Sequence, residues 1–554
     1  MTIDYVLREN GCNTLRGLQL LKRRIAAFAF VSVLSSQLAF AQPLPTFDGK
    51  SWWDYVKVLA DDNMEGRETG SPGLQRASAY VVDQLKKDGL QPAGSKGYYQ
   101  PIKLISRQID ESGSSLALIR DGKTETVKLG EDAMFSTRVD LSPEEIDAPL
   151  VFVGYGLNVP EKNYDDYAGL NVKGKVAVIF GGSPADMPAA LASHYQSSTE
   201  RAKELRKAGA IGFITIPNPA AMDIPWSRMT LARKRPSMSL ADPMFNDWKG
   251  IGLAVTWNPE FADQLFDGSG HTFAEIAALG RERKPLPRFP LTVSIRAKAK
   301  QITKTVESAN IVAKLPGSDP QLASQYVVLS AHLDHLGIGE PINGDKIYNG
   351  AMDNASGSAL VLDIADKLHA AGVKPKRSLL FLFVTAEEKG LLGSRYFAAK
   401  PTVPKKGIVA DLNTDMFLPI FPLKLLTVYG LDESSLGQDA RQAAKDNGVA
   451  VQADPEPLRN LFIRSDQYSF IKQGVPSLAM KVGYEKGSSE EATAMKWLHD
   501  RYHAPSDDLN QPVDLAAAGK FEDILADIAM KVADDPKPPT WNSDSFFQRY
   551  AAAK

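Results

Sequence analysis

Apolar positions change their spacing twice along the chain, and each change marks a different kind of structure. Over Ser51 to Leu90 the reading is helical, with apolar residues at Tyr80, Val81, Leu85 and Leu90 and Gly89 as a helix stop. Within it, Glu65-Gly66-Arg67-Glu68-Thr69-Gly70-Ser71-Pro72-Gly73 is dense in turn formers and predicts a loop. From about Leu104 to Pro290 short strand-like runs take over, at Leu150–Gly154, Val176–Phe180 and Ile211–Ile216, with a helix over Arg201–Ala208. Pro285, Pro287 and Pro290 predict an exit linker from this β-rich region.

From Glu307 onward, compact apolar runs alternate with helical stretches. The runs are Tyr326–Ala331, Leu379–Thr385, Ile408–Leu412 and Ser477–Val482; Ser358–His369 and Gly437–Asn447 lie between them. Apolar runs without polar alternation suit strands buried on both faces, and helices between them predict an α/β sheet covered on both sides. After Asp534 the chain is polar and contains prolines, which predicts a loosely held tail.

The polar residues that end these strands carry the chemistry. Tyr326–Ala331 runs into His332-Leu333-Asp334-His335, Leu379–Thr385 into Glu387-Glu388, and Ile408–Leu412 into Asn413-Thr414-Asp415. A lone Asp in such a place is an ordinary helix cap. Three buried strands each ending in His or acid point instead to a ligand site at the carboxyl edge of the sheet. Gly350 to Gly357 adds Asp353 on a glycine-flanked turn, with Ser356 as a candidate cap for the next helix. His499 and His503 are four apart, but His503 precedes Pro505 by two residues and is expected in a loop.

Composition narrows the options. The chain has 554 residues, so two to four domains are expected at roughly 150 residues each. A net charge of −2 with scattered Lys and Arg gives no field for nucleic acid or an anionic membrane. Lys22-Arg23-Arg24, the apolar run Ile25 to Leu34 and Ala39-Phe40-Ala41 predict a secretory signal over residues 1–41, with the start of translation nearer Leu20 or Leu21. The protein is therefore expected to be exported, periplasmic or secreted, and off the membrane once the signal is cut. Cys12, the only cysteine, lies upstream of the cut, so no thiol is left for catalysis or metal binding. Histidines and several carboxylates without a thiol suit zinc with nitrogen and oxygen ligands. Carboxylates so gathered repel one another unless a cation joins them; two metals about 3.5–4 Å apart bridged by one carboxylate resolve that. Glu387 and Glu388, if extended, point different ways, so one can hold metal while the other moves protons.

Taken in order, Ala331-His332-Leu333-Asp334-His335, Gly350–Gly357, Ala386-Glu387-Glu388-Lys389-Gly390-Leu391-Leu392-Gly393-Ser394, Asn413-Thr414-Asp415-Met416 and Tyr502-His503-Ala504-Pro505-Ser506-Asp507 resemble the zinc-dependent exopeptidase family of aminopeptidase Y, bacterial leucyl aminopeptidases and glutamate carboxypeptidases. The resemblance spans most of Trp52 to Asp534, and Val153-Gly154-Tyr155-Gly156 with Gly174-Lys175-Val176 resembles a protease-associated domain. It implies a mixed, mostly parallel sheet flanked by helices, made of residues 47–130 and 300–534, with a β-rich protease-associated insert over 131–299 beside the active-site mouth and a tail over 535–554. It also implies two Zn2+ per chain: His332 and Asp415 on one, Glu388 and His503 on the other, Asp353 bridging. Glu387 would be the general base and then acid, and Asp334 would orient His332. The peptide after Asp353 would be cis. His335 and His499 match no ligand position and are read as structural or rim residues. Met416, Arg464 and Tyr468 are candidate substrate contacts. The function implied is removal of N-terminal residues from peptides, with a carboxypeptidase or dipeptidase as the alternative and a non-catalytic receptor-like scaffold as the third reading.

Overall fold

Four apolar runs, each buried along nearly its whole length, lie side by side and parallel at the centre of one sheet: Ser378–Val384, Tyr326–His332, Ile408–Asn413 and Ser477–Val482. The computed structural model describes residues 44–553 apart from Arg138, Ser142, Asp223, Pro457, Leu458 and Asn460. The expected signal segment and Cys12 lie outside the described residues. Antiparallel strands Gln301–Leu315 and Tyr99–Ile109 extend the sheet on one side; Leu425–Tyr429 and then Ala450–Gln452 extend it on the other. Ten strands join in it among the described residues, and the fold is mixed α/β.

The strand order sets the site. From Tyr326–His332 the chain first goes to Ser378–Val384 on one flank, then returns to Ile408–Asn413 on the other. The connections leave in opposite directions, so a crevice opens at the carboxyl ends of these three strands. Helices cover both faces, as expected: Lys50–Leu59, Ser356–Ala370 and Leu515–Asp534 pack on one, Leu392–Ala399 and Gln467–Ile471 on the other. Trp52, on Lys50–Leu59, is fully buried, and its indole N–H donates to the Ser356 carbonyl at 2.9 Å. The second N-terminal helix, Pro72–Lys87, is capped by Ser71, whose hydroxyl accepts from the Leu74 N–H.

A second, eight-stranded sheet has its own core, with Phe152, Val176, Phe180, Ile214, Trp257 and Ile295 among its buried residues. It begins earlier than expected. Ser115–Arg120 and Lys123–Val127 belong to it, through pairing of Ser115–Arg120 with Phe289–Lys298, so the first sheet's share of the chain ends well before residue 130. Pro290 is not in an exit linker but within Phe289–Lys298, beside a break in register, where its missing N–H is tolerated. The passage back to the first sheet falls between Lys298 and Gln301. One strand of this middle region, Ser237–Leu240, pairs instead with Tyr99–Ile109 at the edge of the ten-stranded sheet.

The C-terminal tail is not loose. Trp541 and Phe547 are buried, the Trp541 indole N–H donates to the Gly474 carbonyl, and Arg549 pairs with Glu161 of the second sheet's region. The polar composition hid these aromatic anchors. Among the described residues no helix is long and apolar enough to cross a membrane.

Candidate metal centre

His332 closes its strand with its ring turned into the crevice. Its Nδ1 lies 3.0 Å from the Asp334 carbonyl oxygen; a carbonyl can only accept, so Nδ1 carries the proton and Nε2 offers its lone pair. Asp334 thus holds His332 through its main chain. Its carboxylate has other work, accepting from the Thr69 hydroxyl at 2.8 Å and from the Glu387 N–H at 3.0 Å.

Asp353 follows a left-handed Gly350 and precedes a cis peptide to Asn354. The Asp507 carboxylate accepts from the N–H groups of Met352 and Asp353, both at 2.9 Å, and fixes this turn. Ser356 does not cap the helix Ser356–Ala370; its hydroxyl donates to the Met352 carbonyl. Asn354 takes that place, accepting from the Gly357 N–H and, at 3.2 Å, from the Met416 N–H, while donating to the Thr414 carbonyl. A side chain at Gly357 would meet Asn354 Oδ1 at 2.4 Å and the Thr414 oxygen at 2.5 Å, so the approach of these loops requires glycine.

Glu387 and Glu388 lie in a tight turn rather than an extended segment: the Gly390 and Leu391 N–H groups both donate to the Glu387 carbonyl. Their side chains still diverge. Ala386, Met416 and His503 all have left-handed φ, so the backbone beside each of these loop donors is held in an unusual conformation.

The carboxylate of Asp353 faces two ways. Oδ1 is 3.3 Å from His332 Nε2, which is also 3.4 Å from Asp415 Oδ1; Oδ2 is 3.3 Å from His503 Nε2, which is also 3.3 Å from Glu388 Oε2. Zinc–nitrogen and zinc–oxygen bonds of about 2.0–2.1 Å give a tetrahedral edge of about 3.3 Å, so both donor groups have the spacing of ligands around an ion. Asp415 Oδ1 is buried and makes no hydrogen bond. The nitrogen and oxygen donors, with no thiol among them, therefore fit zinc, and Asp353 faces both groups.

His335 is fully buried and also part of the cluster: it forms a compact group of possible donors with Asp353 and Glu388. Its Nδ1 is 2.7 Å from Glu388 Oε1 without hydrogen-bond alignment. That separation is too short for two ligands of one tetrahedral zinc and is that of a partner holding the carboxylate from behind. From the sequence His335 matches no ligand position and reads as a structural or rim residue; its burial beside Asp353 and Glu388 depends on partners distant in the chain. His499 is exposed and pairs with Asp500.

The electrostatics describe a site that gathers positive charge. Burial opposes protonation of His503, yet Glu388 and Asp353 push its pKa up to about 10. Burial likewise opposes ionisation of Asp353 and Glu388, but the imidazoles of His335, His332 and His503 hold Asp353 well below the usual range, and those of His503 and His335 hold Glu388 there. Glu387 is the exception. Burial pushes it well above the usual carboxylate range, against the pull of His332, and the charges of Glu388, Asp466 and Asp415 add to the rise.

A small cavity of about 80 Å³ opens onto Asp353, Glu387, Asp415 and His503, with Met416 and Arg464 on its wall. Tyr468 does not reach it. It lies on Gln467–Ile471, buried, with its hydroxyl 2.9 Å from His194 Nδ1 of the second sheet's region. One loop residue whose role has no signal in the sequence sits behind the site. Arg67, wholly buried, donates to the carbonyls of Leu333 (2.8 Å), Leu59 (2.6 Å), Asn349 (2.6 Å) and Gly350 (2.9 Å), tying the N-terminal loop to the segments that carry Asp334 and Asp353.

The sequence model of peptidase family M28 matches residues 310–529. Leupeptin-inactivating enzyme 1 of Streptomyces exfoliatus is 31% identical over 238 residues, 42% of this chain and 50% of that protein. The probable leucine aminopeptidase 2 of Aspergillus oryzae is 30% identical over 278 residues, 46% of this chain and 51% of that protein. Carboxypeptidase Q of Bos taurus is 24% identical over 366 residues, 65% of this chain and 64% of that protein. The chain thus spans about half the length of the first two relatives and less than two thirds of the third. Among solved structures, an aminopeptidase from Aneurinibacillus sp. strain AM-1 covers 90% of this chain and 97% of its own at a TM-score of 0.54; at 19% identity the likeness is one of fold.

Proposed function

We propose, from the match of residues 310–529 to the peptidase family M28 model, that the chain is an exported two-zinc metallo-exopeptidase that removes N-terminal residues from peptides. The observation that carries this reading is the Asp353 carboxylate: one oxygen lies 3.3 Å from His332 Nε2, which also meets Asp415, and the other 3.3 Å from His503 Nε2, which also meets Glu388. In this reading His332, Asp353 and Asp415 hold one zinc, and Asp353, Glu388 and His503 the other. Zinc bound there lowers the pKa of water and polarises a scissile carbonyl.

The chain's own residues do the rest. Glu387 stands outside both groups of possible donors, faces the same cavity, and has its backbone pinned by Asp334. It takes the proton of the attacking water and gives it to the amide nitrogen as the C–N bond breaks, so the water oxygen ends on the new carboxylate. A side chain whose proton affinity burial has raised is suited to holding that proton between the two steps. Asp507, Asn354 and Arg67 keep the donor-bearing turns in place.

The likeness to the probable leucine aminopeptidase 2 supports an aminopeptidase, and the likeness to carboxypeptidase Q supports the second reading, a carboxypeptidase or dipeptidase of the same fold. The test is hydrolysis of free-amine and N-blocked peptides by the full chain, after chelation and again after zinc is restored. Activity on free-amine peptides only, lost and regained with zinc at two ions per chain, is expected. Activity unaffected by chelation would reject the metal mechanism; cleavage of N-blocked peptides from the C-terminus would favour the second reading.

A further inference from the structure

The cavity at the metal centre is lined by cations as well as acids. Beside Asp353, Glu387 and Asp415, its wall includes Arg459, Arg464 and Lys481. Arg459 pairs with Glu456 at 2.8 Å. Lys481 is different. It sits on the central strand Ser477–Val482, half-buried, opposite Thr427 of Leu425–Tyr429, and its ammonium makes no hydrogen bond or ion pair among the described residues. Burial lowers its pKa while the nearby charge of Asp415 works the other way.

Holding an ammonium inside an apolar sheet is costly unless something meets it. In the metal-free chain the ligand acids, Asp415 foremost, partly play that role. With two zinc ions bound, as the function proposed above requires, those acids are matched by the metals. Lys481 then faces the cavity as a cation without a counter-charge, and Arg464 adds a second positive group to the same wall. Tyr429, Leu461, Leu498 and Tyr502 supply apolar lining, which strengthens any ion pair formed there.

We propose that Lys481, with Arg464, receives a carboxylate of the substrate, so that the preferred peptide presents an acidic group next to the scissile bond. This rests on the exopeptidase reading above. Two sources share that chemistry: the side chain of an N-terminal Glu or Asp, and the main-chain carboxylate of a C-terminal residue.

The experiment has two hydrolysis arms and one binding arm, all on the zinc-loaded full chain. One arm compares N-terminal Glu with N-terminal Gln in otherwise identical peptides. The other compares N-blocked dipeptides with a free C-terminus and with an amidated one. The binding arm compares glutamate with glutamine by calorimetry and needs no turnover. The acidic partner is expected to win by about tenfold or more in one hydrolysis arm and in binding. In Lys481→Met that ratio should fall to within about threefold of one, while Lys481→Arg keeps most of it. A merely structural lysine would change both partners together and leave the ratio alone. If the first arm carries the preference, the anion is an acidic side chain; if the second does, it is the C-terminal carboxylate. A ratio near one throughout, or one that Lys481→Met leaves intact, overturns the proposal. If no peptide is cleaved but glutamate still binds better than glutamine through Lys481, the exopeptidase reading fails and the carboxylate site stands.

Discussion

His335 Nδ1 stands 2.7 Å from Glu388 Oε1, on the side of that carboxylate away from the oxygen facing His503. A buried imidazole at that distance fixes which oxygen is left for metal. His335→Ala should weaken the zinc proposed at His332 and Asp415 little and the one proposed at Glu388 and His503 by about 10–100-fold, with two ions still bound at saturating zinc. A competitive chelator titration with elemental analysis checks this. A drop to one zinc at saturation would make His335 a ligand after all.

Glu387→Gln keeps the shape of the side chain and the hydrogen bond from the Glu387 N–H to Asp334, but removes the base. Turnover should fall by at least about a hundredfold, with zinc content unchanged and substrate affinity within a few-fold. Glu388→Gln should instead disturb metal occupancy. Normal turnover in Glu387→Gln, or loss of its zinc, would show that the two roles are exchanged.

The two neighbouring histidines should behave differently. His503→Ala is expected to lose one zinc and nearly all activity, because His503 Nε2 meets both Asp353 and Glu388 at 3.3 Å. His499→Ala should keep both metals, because its ring is exposed and paired with Asp500. Metal analysis of the two purified variants separates these outcomes.

Arg67→Met should be among the most damaging changes outside the donor set. It leaves four carbonyls at the back of the site without their donor, and the expected loss is at least about 3 kcal/mol in urea unfolding with little change in slope. Zinc affinity should fall with it, since two of those carbonyls belong to the turn before Asp353. Unchanged stability would mean that water replaces the guanidinium.

The central sheet was legible because strands buried on both faces leave long apolar runs, and because His332, Glu387, Glu388 and Asp415 follow those runs directly. Asp353 and His503 were legible through the order of short motifs. What escaped depends on partners far away in sequence. Ser115–Arg120 belongs to the second sheet only because Phe289–Lys298 lies beside it. Arg67 reads as one more charged loop residue, and only the fold brings Leu333, Asn349 and Gly350 around it. Lys481 sits in an apolar strand, where a lone cation gives no hint of the cavity it faces. The tail's aromatics are too widely spaced to form a pattern, yet Trp541 and Phe547 are buried.

The pairing of Ser237–Leu240 with Tyr99–Ile109 bears on how this architecture can be re-engineered or inherited. The middle region is not a cassette that lifts out cleanly, because it lends a strand to its host. Excising it would bare the N–H and C=O groups along a stretch of an eleven-residue edge strand, a template for pairing with another chain. A trimmed version would need a substitute edge, such as inward-pointing lysines or a proline, to keep that strand from pairing with another chain.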